Sequence, residues 1–166
     1  MRLKRVGEIS SAGEYRYAFL FERIAITVGK WIEHGSEGEE AGCRIQIQRL
    51  EEEEAGSEFA GRRVCLTQPI WRGDLFTLAT GRPGNWDRAH YHPRFHGIEP
   101  SDRAWDPELT RSPVDWLRSR LGSNLDRMLQ EGGAPDLAGG EDARLVREAL
   151  PRISAAVEEC LSPAPG

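Results

Sequence analysis

The 166-residue sequence contains only three cysteines, Cys43, Cys65 and Cys160, and none of them stands in a CxxC or zinc-finger spacing. Their odd number and wide separation exclude a disulfide-rich class and are typical of reduced thiols. Long apolar runs are also missing, since no stretch approaches the roughly 20 residues that cross a bilayer. No apolar segment follows the basic N-terminus, as one would in a signal peptide. The sequence therefore predicts a cytoplasmic protein with no membrane partner.

An overall excess of positive charge is absent as well. The chain carries 22 Lys and Arg against 27 Asp and Glu, a formal net charge of -5. This balance argues against indiscriminate binding to nucleic acid, because phosphate neutralisation supplies most of that affinity. Residues 61–120 nevertheless carry ten Lys and Arg against seven Asp and Glu, together with three of the four histidines. A local anionic substrate, RNA included, stays compatible with this region.

Alternating apolar side chains predict β-strands in the first half of the chain. Aromatic residues recur at every second position from Tyr15 to Phe21, and the alternation continues in the other phase over 24–28. A bulge or bend near Glu22-Arg23 would explain this change of phase. Residues 43–48 alternate apolar and polar side chains, which predicts a strand with one solvent-facing side.

Helical spacing follows in the last third. Ser112-Pro113 is typical of a helix start, and apolar residues at 114, 117, 121, 125 and 128 predict one helical stripe. A second helix is predicted from Asp142, and Pro151 should kink or split it.

Strands followed by helices predict an α+β fold, with an antiparallel β-sheet in the N-terminal two-thirds and the C-terminal helices packed on one face. The predicted division is a single α+β domain at 1–130, a Gly-rich linker at 131–140, a helical appendage at 141–161 and a frayed tail at 162–166.

Three histidines fall within seven positions of the segment RAHYHPRFHG, residues 88–97. If 70–79 and 87–93 pair across the intervening loop, side-chain alternation places Arg72 and Asp74 on one face of the first strand. His90 and His92 share one face of the second strand, with cross-strand Cβ atoms about 5 Å apart. We therefore predict that these four residues converge in a solvent-accessible hollow.

Such a patch suits more than one chemistry. His90 and His92 can act as general base and general acid, with Asp74 orienting one ring and Arg72 holding a phosphate. This set suits cleavage of RNA or another phosphate ester without a cofactor. Three flanking residues are the candidate substrate-binding groups: Arg88, Arg94 and His96.

Two alternatives stay open from the residues alone. An HxH motif with a carboxylate also recurs in metal sites, so a divalent metal at His90 and His92 is one alternative, with His96 as a third nitrogen. The other is a protein–protein interaction module, in which the histidine strand is structural. The acidic region 31–60 and the acidic C-terminal helices would then contact a basic partner.

An ordered series of short motifs runs through residues 64–121. It consists of Trp71-Arg72-Gly73-Asp74, a Gly-rich stretch ending at Asp87, His90-Tyr91-His92, Glu99-Pro100 and a helix containing Trp116. This series resembles the TumE-type family of small bacterial toxins. The resemblance implies functional roles for Arg72, Asp74, His90 and His92, and a helix-turn-helix antitoxin as the protein partner. The sequence departs from the family pattern at Gly73, where the family usually has an aromatic residue.

Overall fold

A computed structural model of the chain describes residues 2–5, 13–35, 37–53, 63–82 and 84–162. Six strands form one antiparallel sheet in which each strand pairs with its neighbours in chain order. The strands are β1 (Arg2–Arg5), β2 (Gly13–Leu20), β3 (Ile24–Gly35), β4 (Gly38–Glu53), β5 (Arg63–Leu78) and β6 (His90–His92). A separate two-stranded hairpin consists of β7 (Phe95–His96) and β8 (Glu99–Pro100).

Helices fill the C-terminal third, so the predicted α+β class is confirmed. They are α1 (Pro107–Arg111), α2 (Pro113–Ser123), α3 (Leu125–Glu131) and α4 (Asp142–Leu161), with a 3-10 turn at Pro135–Leu137. Asp106 caps α1, because its Oδ1 accepts the backbone N–H of Glu108 at 2.9 Å. No helix in the described part of the chain is both long and apolar enough to cross a membrane.

The main core lies between the helices and one face of the sheet, as predicted. Alternate residues of β3, β4 and β5 point toward α2 and α4, which follows from the period of two in a strand. The sheet contributes Ile26, Val28, Ile45, Ile47, Trp71 and Leu75, and the helices contribute Leu117, Leu121, Val146, Ile153 and Val157, all of them buried.

The change of phase near Glu22-Arg23 is a hairpin turn, so the predicted bulge or bend within one strand is wrong. β2 and β3 are separate antiparallel strands, with Leu20 opposite Ala25. The turn is held from far along the chain, because the carboxylate of Asp142 accepts the backbone N–H groups of Glu22 and Arg23 at 2.8 and 2.9 Å. The first residue of α4 thereby fixes the β2–β3 connection.

Two helical predictions also need correction. The single stripe over 114–128 belongs to two helices that meet at Asn124. Of the kink or split predicted at Pro151, the split is wrong, because α4 runs unbroken from Asp142 to Leu161 with Pro151 on its exposed side. In the segment predicted as a linker, Ala134 and Leu137 are buried in the same core as α4.

On the other face of the sheet, residues 93–106 run back along β6 and contact the strands through Ser101, Arg103 and Trp105. Tyr91 and Ala104 exchange backbone hydrogen bonds of 3.0 and 2.8 Å, so this segment is tied to the free edge of β6. The polar residues of β4 on this face are buried, with Arg44 only 4% and Gln46 only 5% exposed. The predicted solvent-facing side of residues 43–48 is therefore wrong at these two positions.

Candidate functional site

β5 and β6 pair side by side, in a register that matches the faces assumed in the sequence analysis. Asp74 lies opposite His90 and Arg72 lies opposite His92, so these side chains share the face away from the helices. The two imidazole rings meet edge to face, with centroids 5.1 Å apart and planes at 86°. We call Asp74, His90 and His92 the His–Asp cluster.

The His–Asp cluster is buried, so the predicted solvent-accessible hollow is wrong for most of it. Asp74 and His90 have no exposed surface, and the side chain of His92 is 10% exposed. Aromatic rings surround His90, with Phe76 at 5.9 Å and Trp105 at 5.4 Å between centroids. The edge of the cluster at His92 is where it reaches the surface.

Backbone carbonyls set the tautomer of both imidazoles. Nδ1 of His90 lies 2.8 Å from the carbonyl oxygen of Arg88, and Nδ1 of His92 lies 2.5 Å from that of Ser101. A carbonyl oxygen can only accept a hydrogen bond, so each Nδ1 carries a proton and donates it. The Nε2 atoms then point inward as lone-pair acceptors when the rings are neutral.

Both Nε2 atoms face one oxygen of Asp74. Oδ2 lies 3.3 Å from Nε2 of His90 and 3.5 Å from Nε2 of His92. These distances exceed the roughly 2.7–2.9 Å of a charge-assisted N–H···O bond. Nε2 of His90 is buried and has no hydrogen-bond partner among the described residues. Three acceptor atoms therefore converge on a small gap.

Arg44, which the sequence analysis did not identify, holds the carboxylate from the other side. Its Nε donates to Oδ1 of Asp74 at 2.7 Å and its Nη2 to Oδ2 at 3.2 Å. Nη2 also donates to Oε1 of Glu33 at 2.9 Å. The guanidinium lies 4.3 Å from the Trp31 ring centroid and 5.7 Å from that of Phe76, so both aromatic faces stabilise it.

The carboxyl group of Asp74 is ionised in this setting. Burial alone would raise its pKa, since desolvation penalises the charged form. Contacts with His90 and His92, which lower the pKa only when Nε2 also carries a proton, and the charge and hydrogen bonds of Arg44 outweigh burial and hold the pKa well below its ordinary range. The gap between the imidazoles is thus bounded by a full negative charge.

An ionised oxygen and two nitrogen lone pairs repel one another unless a cation lies between them. The three ligand atoms all lie within 4.8 Å of one another, close enough to share one ion. Two imidazoles and one carboxylate form a donor set that suits divalent transition metals. Histidine ligands typically donate Nδ1–H to a carbonyl or carboxylate, as both rings do here.

The remaining predicted site residues lie at increasing distance from the cluster. Arg72 is on the same face, half-buried, with Nε donating to Gln46 at 3.0 Å. Arg88 binds the buried carboxylate of Glu40, with Nη2 2.7 Å from Oε1. Arg94 is exposed and extends toward Gly133. His96 is exposed in β7 and contributes no ligand atom to the cluster.

Gly73, the departure from the TumE-type pattern, has a local cause in this chain. A Cβ at position 73 would lie 2.6 Å from the Trp71 ring, closer than side chains pack. That ring is itself fixed, because it stacks on Tyr91 and Trp116 at centroid distances of 6.3 and 6.1 Å. An aromatic residue at position 73 would displace this stack.

A separate cleft of about 640 Å³ lies on the helix side of β6, between Tyr91 and α2. None of the His–Asp cluster residues lines it. One of its carboxylates, Asp106, is already bound, accepting from Nε1 of Trp116 at 2.9 Å and from Arg120 at 3.4 Å. These contacts, the Trp116 hydrogen bond foremost, lower the pKa of Asp106. This cleft is therefore separate from the His–Asp cluster.

Comparison with known proteins adds no functional assignment. The sequence matches no protein-family model, and no curated protein or solved structure is significantly similar to it.

Proposed function

We propose that the protein binds one divalent transition metal ion through Oδ2 of Asp74 and the Nε2 atoms of His90 and His92. The observation that carries the proposal is the inward direction of both Nε2 atoms toward an ionised carboxylate, enforced by the Nδ1 hydrogen bonds to Arg88 and Ser101.

The separations of the ligand atoms favour a metal over a proton as the bound cation. Zinc bonds to nitrogen and oxygen are roughly 2.0–2.1 Å long, so neighbouring ligands in a tetrahedron stand about 3.3–3.4 Å apart. The Nε2–Oδ2 distances of 3.3 and 3.5 Å are close to this separation between neighbouring ligands. An imidazolium bound directly to the carboxylate would stand closer, at about 2.7–2.9 Å.

Three protein ligands leave a coordination position for water or a substrate. His92 is at the surface edge of the cluster, so that position can be reached from its side. A metal there would polarise a bound oxygen or lower the pKa of a bound water.

The test is metal analysis of the untagged protein. After incubation with Zn²⁺, Mn²⁺, Fe²⁺, Co²⁺ or Ni²⁺ and desalting, we expect about one ion per chain for a preferred metal. His90→Gln and His92→Gln should lose this ion, while the exposed His96→Gln should keep it.

Each outcome decides the proposal. Absence of a bound ion with all five metals, or equal retention by the His90 and His92 variants, would overturn it. Circular dichroism of each variant without metal separates loss of a ligand from loss of the fold. A rise in the thermal unfolding midpoint of the wild type with metal concentration is the second expected result, because only the folded chain holds the ion tightly.

Cleavage of RNA or another phosphate ester is the second candidate. It is supported by the juxtaposition of Arg72 with the His–Asp cluster and by the resemblance to TumE-type toxins. In that reading His90 and His92 are base and acid, Asp74 the orienting group and Arg72 the phosphate clamp. The burial of His90 weighs against direct proton transfer to a polymer.

Two assays test this candidate. Growth arrest on expression and RNA cleavage by pure protein are compared between wild type and the His90→Ala/His92→Ala double variant. Cleavage that persists in EDTA and disappears in the double variant would support acid–base chemistry without metal. Equal behaviour of the two proteins would end the candidate. Rescue of growth by a helix-turn-helix protein would identify the antitoxin partner.

A further inference from the structure

We infer that the metal-loaded His–Asp cluster binds a small oxyanion, a phosphate or carboxylate group with one oxygen on the metal and another at the guanidinium of Arg72. This inference rests on the proposed metal site and names the class of ligand that the site takes.

Charge balance is the first step. Asp74 and Arg44 neutralise one another, with both side chains at most 4% exposed. The neighbouring carboxylates are also paired: Glu33 with Arg44 and Arg103, and Glu40 with Arg103 and Arg88. A divalent ion therefore adds two positive charges to a ligand group whose single carboxylate, Asp74, is already paired with Arg44.

A buried surplus of charge is unfavourable unless a counter-charge accompanies it. An anion with a metal-binding atom at the open coordination position supplies this counter-charge. Neutral ligands and cations do not, so the site favours an anionic ligand. Oxygen is the donor that carbonyl, carboxylate and phosphate groups share.

The approach to the metal is the second step. His92 is the part of the cluster with exposed surface, and Arg72 is its direct cross-strand neighbour. The Arg72 guanidinium lies 5.1 Å from the Phe95 ring centroid, and its Nε is held by Gln46 at 3.0 Å. A second positive charge thus stands beside the one exposed ligand. A guanidinium binds two-oxygen anions in a planar, directional manner, which a lysine does not reproduce.

Size limits the ligand further. Two residues of segment 93–106 cover other parts of the cluster, Ser101 through its contact with His92 and Trp105 through its contact with His90. A small anion, or the terminal phosphate or carboxylate of a larger molecule, can reach the edge at His92.

The experiment uses cobalt as both metal and spectroscopic probe. The full-length protein is loaded with Co²⁺, its visible absorption is recorded, and inorganic phosphate or acetate is added in separate titrations. We expect a saturable spectral change with at least one of the two anions. A response to phosphate alone identifies a phosphoryl ligand, and a response to acetate alone identifies a carboxylate ligand.

Variants of surface arginines test the role of Arg72. Arg72→Gln should weaken anion binding by at least about tenfold, as expected when hydrogen bonds to a charged group are lost. Arg72→Lys should restore only part of the affinity, and the exposed Arg94→Gln should bind as the wild type does. Equal affinity of Arg72→Gln and wild type would overturn the assignment of Arg72.

The two proposals fail in different ways. A protein that takes up neither cobalt nor any of the other four metals refutes the metal site itself. If another of the five metals is preferred to cobalt, the same two anions are titrated into that metal complex by calorimetry. A protein that binds about one cobalt ion per chain, and whose visible spectrum does not change with either anion, refutes the oxyanion inference and leaves the metal-site proposal intact.

Discussion

Replacing Asp74 with Asn tests the energetics of the buried ion pair, because the substitution removes a charge and keeps the shape of the side chain. Asp74 is fully buried and Arg44 is 4% exposed, and two hydrogen bonds of 2.7 and 3.2 Å join them. In Asp74→Asn the guanidinium keeps Glu33 as its carboxylate partner, and the side chain of Glu33 is 40% exposed. Arg44 becomes a buried cation with a single, partly hydrated counter-ion.

The size of the effect follows from burial. Removing one partner of a buried ion pair costs about 3–5 kcal/mol, because the other charge is left uncompensated. Glu33 and the rings of Trp31 and Phe76 still stabilise Arg44, so we expect a loss near the lower bound, about 3 kcal/mol. For a chain of this length that loss lowers the unfolding midpoint by roughly 6–12 °C.

Urea denaturation in EDTA measures the loss without any contribution from bound metal. Glu33→Gln is the matched control, because a partly exposed ion pair contributes under about 1 kcal/mol. Adding Arg44→Met to Asp74→Asn should recover part of the stability, since it removes the stranded charge. A loss below about 1 kcal/mol in Asp74→Asn at an unchanged m-value would refute the reasoning.

Three further predictions concern stability. Gly73→Ala should lower the free energy of unfolding by about 1–3 kcal/mol, because its Cβ would overlap the Trp71 ring. Gly140→Ala places its Cβ in open space and should leave the free energy of unfolding unchanged, so equal free energies for the two variants in urea denaturation would contradict the prediction. Asp142→Ala should lower the free energy of unfolding by about 1–3 kcal/mol, because it leaves two backbone N–H groups of the β2–β3 turn unpaired, and Asp142→Asn should lower it less. A loss below about 0.5 kcal/mol in Asp142→Ala would show that these hydrogen bonds do not stabilise the turn. Two arginines outweigh burial and hold the pKa of Glu40 below its ordinary value of 4.5, so the stability that it contributes is present above that value and is lost as pH falls through the lower folded pKa. As the pH is lowered from 5 to about 3, the free energy of unfolding should therefore fall more steeply in the wild type than in Glu40→Gln. Parallel curves would show that Glu40 does not contribute stability in this way.

The hairpin that forms the His–Asp cluster could be predicted because its information is local. A Gly-rich loop joins the two segments, and the period of two puts Asp74 and His90 on one face once they pair. The α+β class followed in the same way from strands preceding helices. Both inferences depend on residues close together in the sequence.

The contact of Arg44 with Asp74 could not be predicted, because it depends on the register between β4 and β5. That register shifts twice near Gln48, opposite Pro69, and neither shift can be read from the pattern of either strand. Alternation also cannot show whether the polar side of a strand is covered. Arg44 lies against the rings of Trp31 and Phe76, and Gln46 accepts a hydrogen bond from Arg72, contacts that only the pairing of β3, β4 and β5 creates.

The β2–β3 turn was missed for a related reason. Glu22 and Arg23 lack the Gly, Pro or Asn that mark a tight turn, so the change of phase was interpreted as a bulge. The turn is stabilised by Asp142, which lies 120 positions from Glu22 and therefore leaves no local signal in the sequence of the turn. Pro151 likewise left α4 unbroken because it lies on the exposed side, where water can take the carbonyl that loses its partner.

β6 is only three residues long, yet it is tied on both edges. β5 pairs with one edge, and the two hydrogen bonds between Tyr91 and Ala104 close the other. Nε2 of His90 has no exposed surface, so an ion that enters the folded chain must pass along the edge at His92. Metal uptake should then leave both edges of β6 paired, and the amide of Tyr91 should stay protected from hydrogen exchange while the ion enters.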